Sequence, residues 1–291
     1  MIMTVLIILI LVIIIFVSIP RSCQRESFKS KINRVYKNYK PTVDEIDEYK
    51  LIETEHTKYN TSYVKEMYRY DNNRHIKNLI SHVLYINLPS RTDRNNQTVK
   101  QLNMLGLPYQ RIPGVVTDFG GLGCSMAHLN ALRHARDNNY PNVLICEDDI
   151  EFKYDRNTLY KYLTEALRYL DNNYDVLLLS GGAVKSKSIP NVKYVKQLES
   201  AQTRTAYLVN QTYYDRLIKN FEENVDELAR RGPTSYTGTI YDQPYGKGFA
   251  GDQYWKRIQP VDRWFIMKPR LCRQRKSYSN IQNKVTKYID S

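Results

Sequence analysis

The sequence contains few cysteines for its length and no C-x-x-C pair. Its 291 residues include four cysteines that are widely separated along the chain: Cys23, Cys124, Cys146 and Cys272. This number and spacing provide neither a disulfide scaffold nor a structural zinc site. Cys146 lies in an apolar stretch, where we expect it to act as a small core residue.

The chain also lacks a recognisable nucleic-acid-binding motif, although it is basic. It has 43 Lys and Arg against 30 Asp and Glu, which gives a formal net charge of +13 at pH 7. The basic residues are dispersed, with local enrichment only around 268–276, and no helix-turn-helix or RNP-type pattern is present. A dispersed excess is typical of a solvated surface that meets anionic substrates or lipid headgroups. We therefore expect no nucleic-acid partner. A membrane-tethered basic nucleic-acid-binding protein is the less favoured alternative.

No charged side chain occurs in residues 1–20. As a helix this segment would span about 30 Å, enough to cross the hydrocarbon core of a bilayer. It has no basic n-region and no A-x-A-like cleavage site, so an uncleaved anchor is favoured over a signal peptide. Residues 21–78 are polar and rich in tyrosine, and we interpret them as a partly helical stem. The alternative is an N-terminal helical subdomain that packs on the body.

The signals for membrane orientation conflict. Five basic residues follow the anchor and favour a cytoplasmic location for the body: Arg21, Arg25, Lys29, Lys31 and Arg34. Three N-glycosylation sequons are compatible with a lumenal glycoprotein: Asn60, Asn96 and Asn210. We expect a single-pass membrane protein with its catalytic domain in the lumen.

Strand and helix patterns alternate from His82 onward. Strand-like segments are HVLYINL, Leu107–Ile112, PNVLICEDDI, DVLLLSGG and TRTAYLVN. Helical patterns lie between them, up to about Leu105, after GGLGC and over Leu159–Leu170. This alternation predicts an α/β domain with a largely parallel sheet, which we assign to residues 79–291. Ligands of such sheets bind beyond the carboxyl ends of the strands.

Acidic residues crowd the end of the third predicted strand, in ICEDDIEF. Carboxylates at a buried strand end repel one another and lose hydration unless a cation compensates. Without histidine or cysteine partners, such a cluster suits a hard divalent cation, Mn²⁺ or Mg²⁺. The candidate ligands are Glu147, Asp148 and Asp149, of which Asp149 is the first choice and Glu147 or Asp148 the second. The basic turn SRTDR lies at the same sheet edge, so the metal would bridge a diphosphate. The alternative is a solvated turn, or a cap for the helix that begins near Asn157.

Five segments follow one another in the order of a known family's motifs. They are YINLPSRTDR, GGLGCSMAHLNAL, VLICEDDIEF, RTAYLVNQTYYDRLI and PRLCRQRKSYSNI. Over about residues 82–281 the chain resembles glycosyltransferase family 25, which includes lipooligosaccharide and collagen galactosyltransferases. The resemblance implies a GT-A-type nucleotide-diphospho-sugar transferase fold with a Rossmann-like, mostly parallel sheet. It also implies a UDP-galactose or UDP-glucose donor, a manganese-type metal and inversion at the anomeric carbon.

The resemblance assigns positions near the donor. Asn87, Arg91 and Arg94 match the opening motif near the nucleotide, and Arg94 is expected to pair with a phosphate oxygen unless it is an exposed turn residue. His128 follows the glycine-cysteine pair and would hold a donor phosphate or the glycine loop. A buried structural histidine is the open alternative. Ala127 stands where the family has a serine, so no role is assigned to that hydroxyl.

The closing motif of the family is matched in part. Gln274 and Ser277 match the closing glutamine and serine, whereas Asn280 replaces a common aspartate. No histidine follows His134, so a late third metal ligand would be a carboxylate or water.

A general base is needed for inversion, and the segment GKGFAGDQYWKRIQ offers the carboxylate of Asp252. The glycines of this segment would let it approach the donor sugar closely. Trp255 is predicted to form an apolar platform under a sugar ring. The alternative reading makes Asp252 the N-cap of a short helix, and one aspartate can do both.

These patterns together predict a membrane-anchored, metal-dependent glycosyltransferase. It would move galactose or glucose from a UDP-sugar to a glycan or protein hydroxyl. A catalytically silent, transferase-like binding module is the main alternative. A nucleotidyltransferase or phosphotransferase is disfavoured because SRTDR is not a glycine-rich phosphate loop with a lysine.

Overall fold

The computed structural model describes residues 76–233, 248–279 and 284–286. The predicted anchor at 1–20, the predicted stem as far as residue 75, and Asn280 lie outside these residues. Among the described helices, none has the length and apolar character needed to cross a bilayer.

Twelve short and medium strands occur in the described part of the chain. Eight form one sheet: β1 His82–Asn87, β2 Tyr109–Pro113, β3 Asn142–Glu147, β5 Val176–Leu178, β6 Gly182–Ser188, β7 Val195–Gln202, β8 Ala206–Asn210 and β9 Trp264–Met267. Two further pairs are antiparallel: β4 Ile150–Phe152 with β10 Cys272–Gln274, and β11 Ser277–Ser279 with β12 Lys284–Thr286.

Helices connect the strands. They are α1 Ile76–Leu79, α2 Thr92–Leu105, α3 Gly120–Asp137, α4 Arg156–Leu170, α5 Tyr214–Arg231 and α6 Gly251–Tyr254, with 3₁₀ turns at Gln211–Tyr213 and Trp255–Arg257. Local chemistry sets several boundaries. The side chain of Asp155 accepts a hydrogen bond from the Thr158 amide and caps α4, and Gly106 ends α2 with a left-handed φ of 73°.

The large sheet has the order β2-β1-β3-β8-β5-β9-β7-β6. β1, β2 and β3 are parallel, and β5 is parallel to β9, whereas β8 and β7 run opposite to the other six strands. The predicted α/β class with a largely parallel sheet is therefore confirmed. The pattern TRTAYLVN does form a strand, β8, and it is one of the two reversed strands.

The central strands are buried along most of their length. All five residues of β8 and the first five of β3 are buried, including Cys146, as predicted from the apolar sequence. Strands covered on both faces lose the alternation of polar and apolar residues, which explains these continuous apolar runs.

The register of β1 against β3 sets the position of the cleft described below. Ile86 pairs with Glu147, so Asn87 at the end of β1 and Asp148 directly after β3 meet at one edge of the sheet. The opposite flank of the sheet ends in the hairpin of β6 and β7, and β6 is the edge strand. Lys185 and Lys187 of β6 are exposed there.

Candidate active site

A cleft opens at the carboxyl ends of β1 and β3. Its walls also include the first half of α3 and Gln274 of β10. All seven residues predicted to bind the donor or the metal line this cleft: Asn87, Arg91, Arg94, His128, Glu147, Asp148 and Asp149. The sheet therefore brings together residues that are up to 62 positions apart, although their individual roles remain predictions.

Asp148 is held by hydrogen bonds on both carboxylate oxygens. Arg94 Nη1 donates to Oδ1 at 2.6 Å, and Asn87 Nδ2 donates to Oδ2 at 2.7 Å. The Thr98 hydroxyl also donates to the Asp148 backbone carbonyl at 2.8 Å. Burial raises the pKa of Asp148, and the Arg94 charge opposes this rise. For Asp148 to bind a metal, or Arg94 a phosphate, this buried ion pair would have to open.

Asp149 has a different environment. Its residue is 6% exposed, and Oδ1 has no hydrogen-bond partner within the described part of the chain. Oδ2 lies 3.4 Å from the Gln274 amide nitrogen. Burial, and the nearby charges of Glu147 and Asp148, raise the pKa of Asp149 well above its usual value. A buried carboxylate with an unsatisfied oxygen is costly unless a proton or a cation accompanies it.

Glu147 faces the same amide group. Gln274 Nε2 donates to Glu147 Oε2 at 3.2 Å as well as to Asp149, so the two carboxylates converge on one nitrogen atom. Burial acts to raise the pKa of Glu147, but the hydrogen bond from His128 and the charge of Arg204 lower it overall. Two converging carboxylates, one of them short of a partner, fit a hard divalent cation.

His128 is fully buried, and both ring nitrogens have partners. Nε2 lies 3.2 Å from Glu147 Oε1, and Nδ1 lies 2.8 Å from the Tyr207 hydroxyl. Because a carboxylate only accepts, we infer that Nε2 carries the proton and Nδ1 accepts from Tyr207. Burial and the Arg204 charge lower the pKa of His128 to about 4. This geometry favours the structural alternative for His128 over contact with a donor phosphate.

The expectation that no histidine or cysteine accompanies the acidic cluster was wrong. Cys124, His128 and Glu147 place one ligand-type atom each within 4.8 Å of the others. The Cys124 sulfur accepts from Arg204 Nη2 at 3.3 Å, and burial raises the pKa of its thiol to about 12. A neutral thiol beside a guanidinium is a poor ligand for a cation. The trio is therefore less suited to a hard cation than the carboxylates of Glu147 and Asp149 are.

Gly123 permits the close packing of α3 against the loop that follows β2. A Cβ atom at this position would lie 2.1 Å from the backbone oxygen of Val115. The absence of a side chain thus lets the first turn of α3 form a wall of the cleft. Helix N-termini carry partial positive charge and unpaired N–H groups, which favour phosphate.

Asp252 lies near the cleft but is not among the residues that line it. Its helix begins at Gly251 with Ala250 as the N-cap, so Asp252 is in the first turn and is not the cap. Oδ2 accepts a hydrogen bond from the Thr203 amide at 2.9 Å. The prediction that Trp255 forms a platform under a sugar ring was wrong. This side chain is fully buried, and its Nε1 donates a hydrogen bond to the backbone carbonyl of Ala201.

Arg204 was missed as a site residue. It precedes β8 and is 4% exposed, and its Nη2 donates to Cys124 and, at 3.5 Å, to the Ser125 hydroxyl. Its guanidinium carbon lies 5.5 Å from the centre of the Phe221 ring. The sequence did contain one indication that Arg204 belongs to the site, because it is a charged residue next to an otherwise apolar strand. Sequence alone did not show which elements would enclose it.

Residues 116–229 match glycosyltransferase family 25, described as an LPS biosynthesis protein. The matched segment contains α3, the acidic turn and β8. The match supports the resemblance to glycosyltransferase family 25 that the motifs predicted. A glycosyltransferase 25 family member of Anopheles gambiae is 29% identical over 118 residues, which cover 31% of this chain. The alignment spans 20% of that relative's length.

Two solved structures are also similar to this chain. A197 from STIV has a TM-score of 0.35 at 8% identity and covers 67% of this chain and 94% of its own. A glycosyltransferase involved in the glycosylation of the major capsid of PBCV-1 has a TM-score of 0.34 at 12% identity. That match covers 64% of this chain and 92% of the other. Scores of this size do not define the fold of this chain.

Proposed function

We propose that this chain is a family 25 glycosyltransferase, namely a metal-dependent, inverting hexosyltransferase with a GT-A-type fold. It moves galactose or glucose from a UDP-sugar to a hydroxyl group of a glycan or protein. The proposal rests on one observation above all. The buried carboxylate of Asp149 has no hydrogen-bond partner at Oδ1 among the described residues, and its Oδ2 shares the Gln274 amide with Glu147. Both carboxylates lie at the sheet edge where α/β domains bind ligands.

Glu147 and Asp149 would hold Mn²⁺ or Mg²⁺, and Gln274 orients both carboxylates. When bound, such an ion neutralises negative charge on the departing diphosphate. Asp148 acts indirectly in this proposal, because its ion pair with Arg94 fixes the turn that presents the two ligands.

Arg91 is the better candidate for the diphosphate than Arg94. Its Nε and Nη2 atoms donate to both oxygens of Asp93 at 2.9 and 2.8 Å, but the Asp93 side chain is 59% exposed. An exposed ion pair is worth at most about 1 kcal/mol, so a phosphate can displace Asp93. Arg94 would have to leave the buried carboxylate of Asp148, which costs more.

Asp252 is proposed as the general base on the acceptor side. Thr203 holds Oδ2, whereas Oδ1 has no hydrogen-bond partner among the described residues. The acceptor hydroxyl transfers its proton to this carboxylate as its oxygen bonds to the anomeric carbon. The bond from that carbon to the diphosphate oxygen breaks, and the electron pair leaves with UDP.

The cellular setting is also a proposal. The uncharged segment 1–20 supports a membrane anchor. The sequons at Asn60 and Asn96 support a lumenal glycoprotein.

A donor panel tests the function. The full chain, purified in detergent, is incubated with UDP-galactose, UDP-glucose and other nucleotide sugars, and release of nucleoside diphosphate is measured with Mn²⁺, with Mg²⁺ and with EDTA. We expect metal-dependent release of UDP from one or both hexose donors. Tight UDP–Mn²⁺ binding without release from any donor would instead indicate a silent binding module.

A further inference from the structure

The backbone of Thr203 adopts an unusual conformation next to Asp252. Its φ is 71°, in the left-handed region that β-branched residues strongly disfavour. In this conformation the Thr203 amide points to Asp252 Oδ2 at 2.9 Å. Disfavoured backbone conformations persist only where the surrounding structure enforces them, and they cluster at functional sites.

Arg204, the next residue, contacts both the cleft and the turn that carries Asp252. Its Nη2 donates to Cys124, whose sulfur lies 3.8 Å from Glu147 Oε1. The guanidinium also packs closely against Gly251, where a Cβ atom would be only 2.2 Å from Nη1. Thus one buried side chain spans from the wall of the donor cleft to the start of α6.

The guanidinium has no carboxylate partner within salt-bridge distance in the described part of the chain, and Nη1 has no hydrogen-bond partner there. A buried cation in this situation is costly to keep. Its positive charge acts on the carboxylates of Glu147 and Asp252. Arg204 therefore contacts Cys124, which neighbours the proposed metal ligand Glu147, and Gly251, which precedes the proposed base.

We propose that Thr203 and Arg204 form a positioning segment that fixes the carboxylate of Asp252 relative to the donor cleft. The amide of Thr203 sets the direction of the carboxylate, and Arg204 sets the distance between Gly251 and Cys124. The inference rests on the proposed function, in which Asp252 is the base. Neither Thr203 nor Arg204 touches the reacting atoms in this account.

A double-mutant cycle tests the coupling. Arg204→Met, Asp252→Asn and the double variant are assayed for UDP release from the hexose donor that the wild type uses, with Mn²⁺. A displacement near 1 Å costs about 100-fold in rate, so we expect Arg204→Met alone to slow turnover by roughly 10- to 100-fold with the Kd for UDP–Mn²⁺ within twofold. In the Asp252→Asn background the same substitution should have less than about a twofold further effect, because coupled residues are not additive.

Arg111→Met is the matched control. Arg111 is also buried, at 5% exposure, and lies on β2 without lining the cleft. We expect it to lower the melting temperature without the rate loss of Arg204→Met. Additive effects of Arg204→Met and Asp252→Asn would overturn the proposal, because Arg204 would then act elsewhere.

Two further measurements cover the other outcomes. Thr203→Gly keeps the amide and removes the strain, so its melting temperature should not fall, while a less restricted amide should slow turnover by about threefold to tenfold. Unchanged turnover in this variant would remove Thr203 from the segment.

Hydrogen exchange of peptides covering 248–255 serves as the second measurement, since it needs no turnover. We expect faster exchange there in Arg204→Met than in wild type and Arg111→Met, and equal exchange would overturn the inference. If the wild type releases no UDP from any donor, the proposed function fails. Exchange then still decides whether Arg204 fixes this turn.

Discussion

The Nε2 atom of His128 lies 3.2 Å from the Oε1 atom of Glu147. The contact joins a neutral imidazole to an ionised carboxylate, because the two pKa values are both lowered. The histidine therefore orients the glutamate without supplying a positive charge. This arrangement leaves the negative charge of Glu147 available to a cation.

Acid should destabilise the fold through His128. The pKa of this histidine is lowered from 6.5 to about 4, so the unfolded chain binds more protons between these values. Its contribution to stability is complete above about pH 6.5 and is lost as the pH falls towards 4, by up to about 3 kcal/mol.

Thermal melts from pH 7.5 to 4 check this expectation. His128→Gln should show a flatter dependence over that window. The half-buried His134, whose pKa is lowered less severely by burial, provides the control variant His134→Gln. A profile for His128→Gln that parallels the wild type would contradict the assignment of a neutral buried imidazole.

Substitution of Asp148 should destabilise the fold, whereas substitution of Asp149 should not. Asp149→Asn removes a buried charge whose Oδ1 has no partner among the described residues, so the melting temperature of the metal-free protein should stay equal or rise. Asp148→Asn breaks a buried ion pair with Arg94 and should cost about 3 kcal/mol. Asp149→Asn should also abolish Mn²⁺-dependent binding of UDP, measured by calorimetry. Retention of that binding would rule out Asp149 as a metal ligand.

Asp252→Asn should separate catalysis from folding. The asparagine keeps an acceptor for the Thr203 amide, but it cannot take a proton from the acceptor hydroxyl. We expect the transfer rate to fall by about 10²- to 10⁴-fold, while the melting temperature and the Kd for UDP–Mn²⁺ are retained. Near-normal transfer by this variant would exclude Asp252 from the mechanism.

The sequon at Asn210 should remain unglycosylated in the folded protein. Asn210 is buried, its Oδ1 accepts from the Thr212 amide and hydroxyl, and its Nδ2 donates to the Asn172 carbonyl. Peptide mass spectrometry of the chain expressed in eukaryotic cells should find no glycan at this position. Asn210→Gln should leave the total glycan mass unchanged and reduce stability by about 1 kcal/mol, because a capping side chain is lost. A glycan on Asn210 would show that the segment is modified before it folds.

Sequence patterns anticipated the part of the fold in which local and global signals agree. The apolar strands β1, β3 and β5 and the helices α2, α3 and α4 follow from periodicity and turn residues. The hairpin of β6 and β7 was missed because GAVKSKS is an exposed edge strand with little apolar content. The reversed direction of β8 could not be predicted either, because hydrophobic periodicity carries no information about strand direction.

Residues that line the cleft were predicted from the sequence, but their individual contacts were not. A shared sheet edge brought together the residues that follow β1 and β3, as parallel topology requires. The different environments of Glu147, Asp148 and Asp149 depend on contacts from α2 and β10, which lie far from these acids in the sequence. Trp255 illustrates the opposite failure, because an aromatic residue beside a glycine-rich loop is as compatible with a core as with a sugar platform.

The lysines of the edge strand β6 have a consequence for self-association. An edge strand exposes unpaired backbone groups that can recruit a strand from another chain. A strand added beside β6 would have to desolvate Lys185 and Lys187, which project from this strand into water. The bulge in the pairing of β6 with β7 further distorts the edge. The sheet can therefore end at β6 without becoming a template for aggregation.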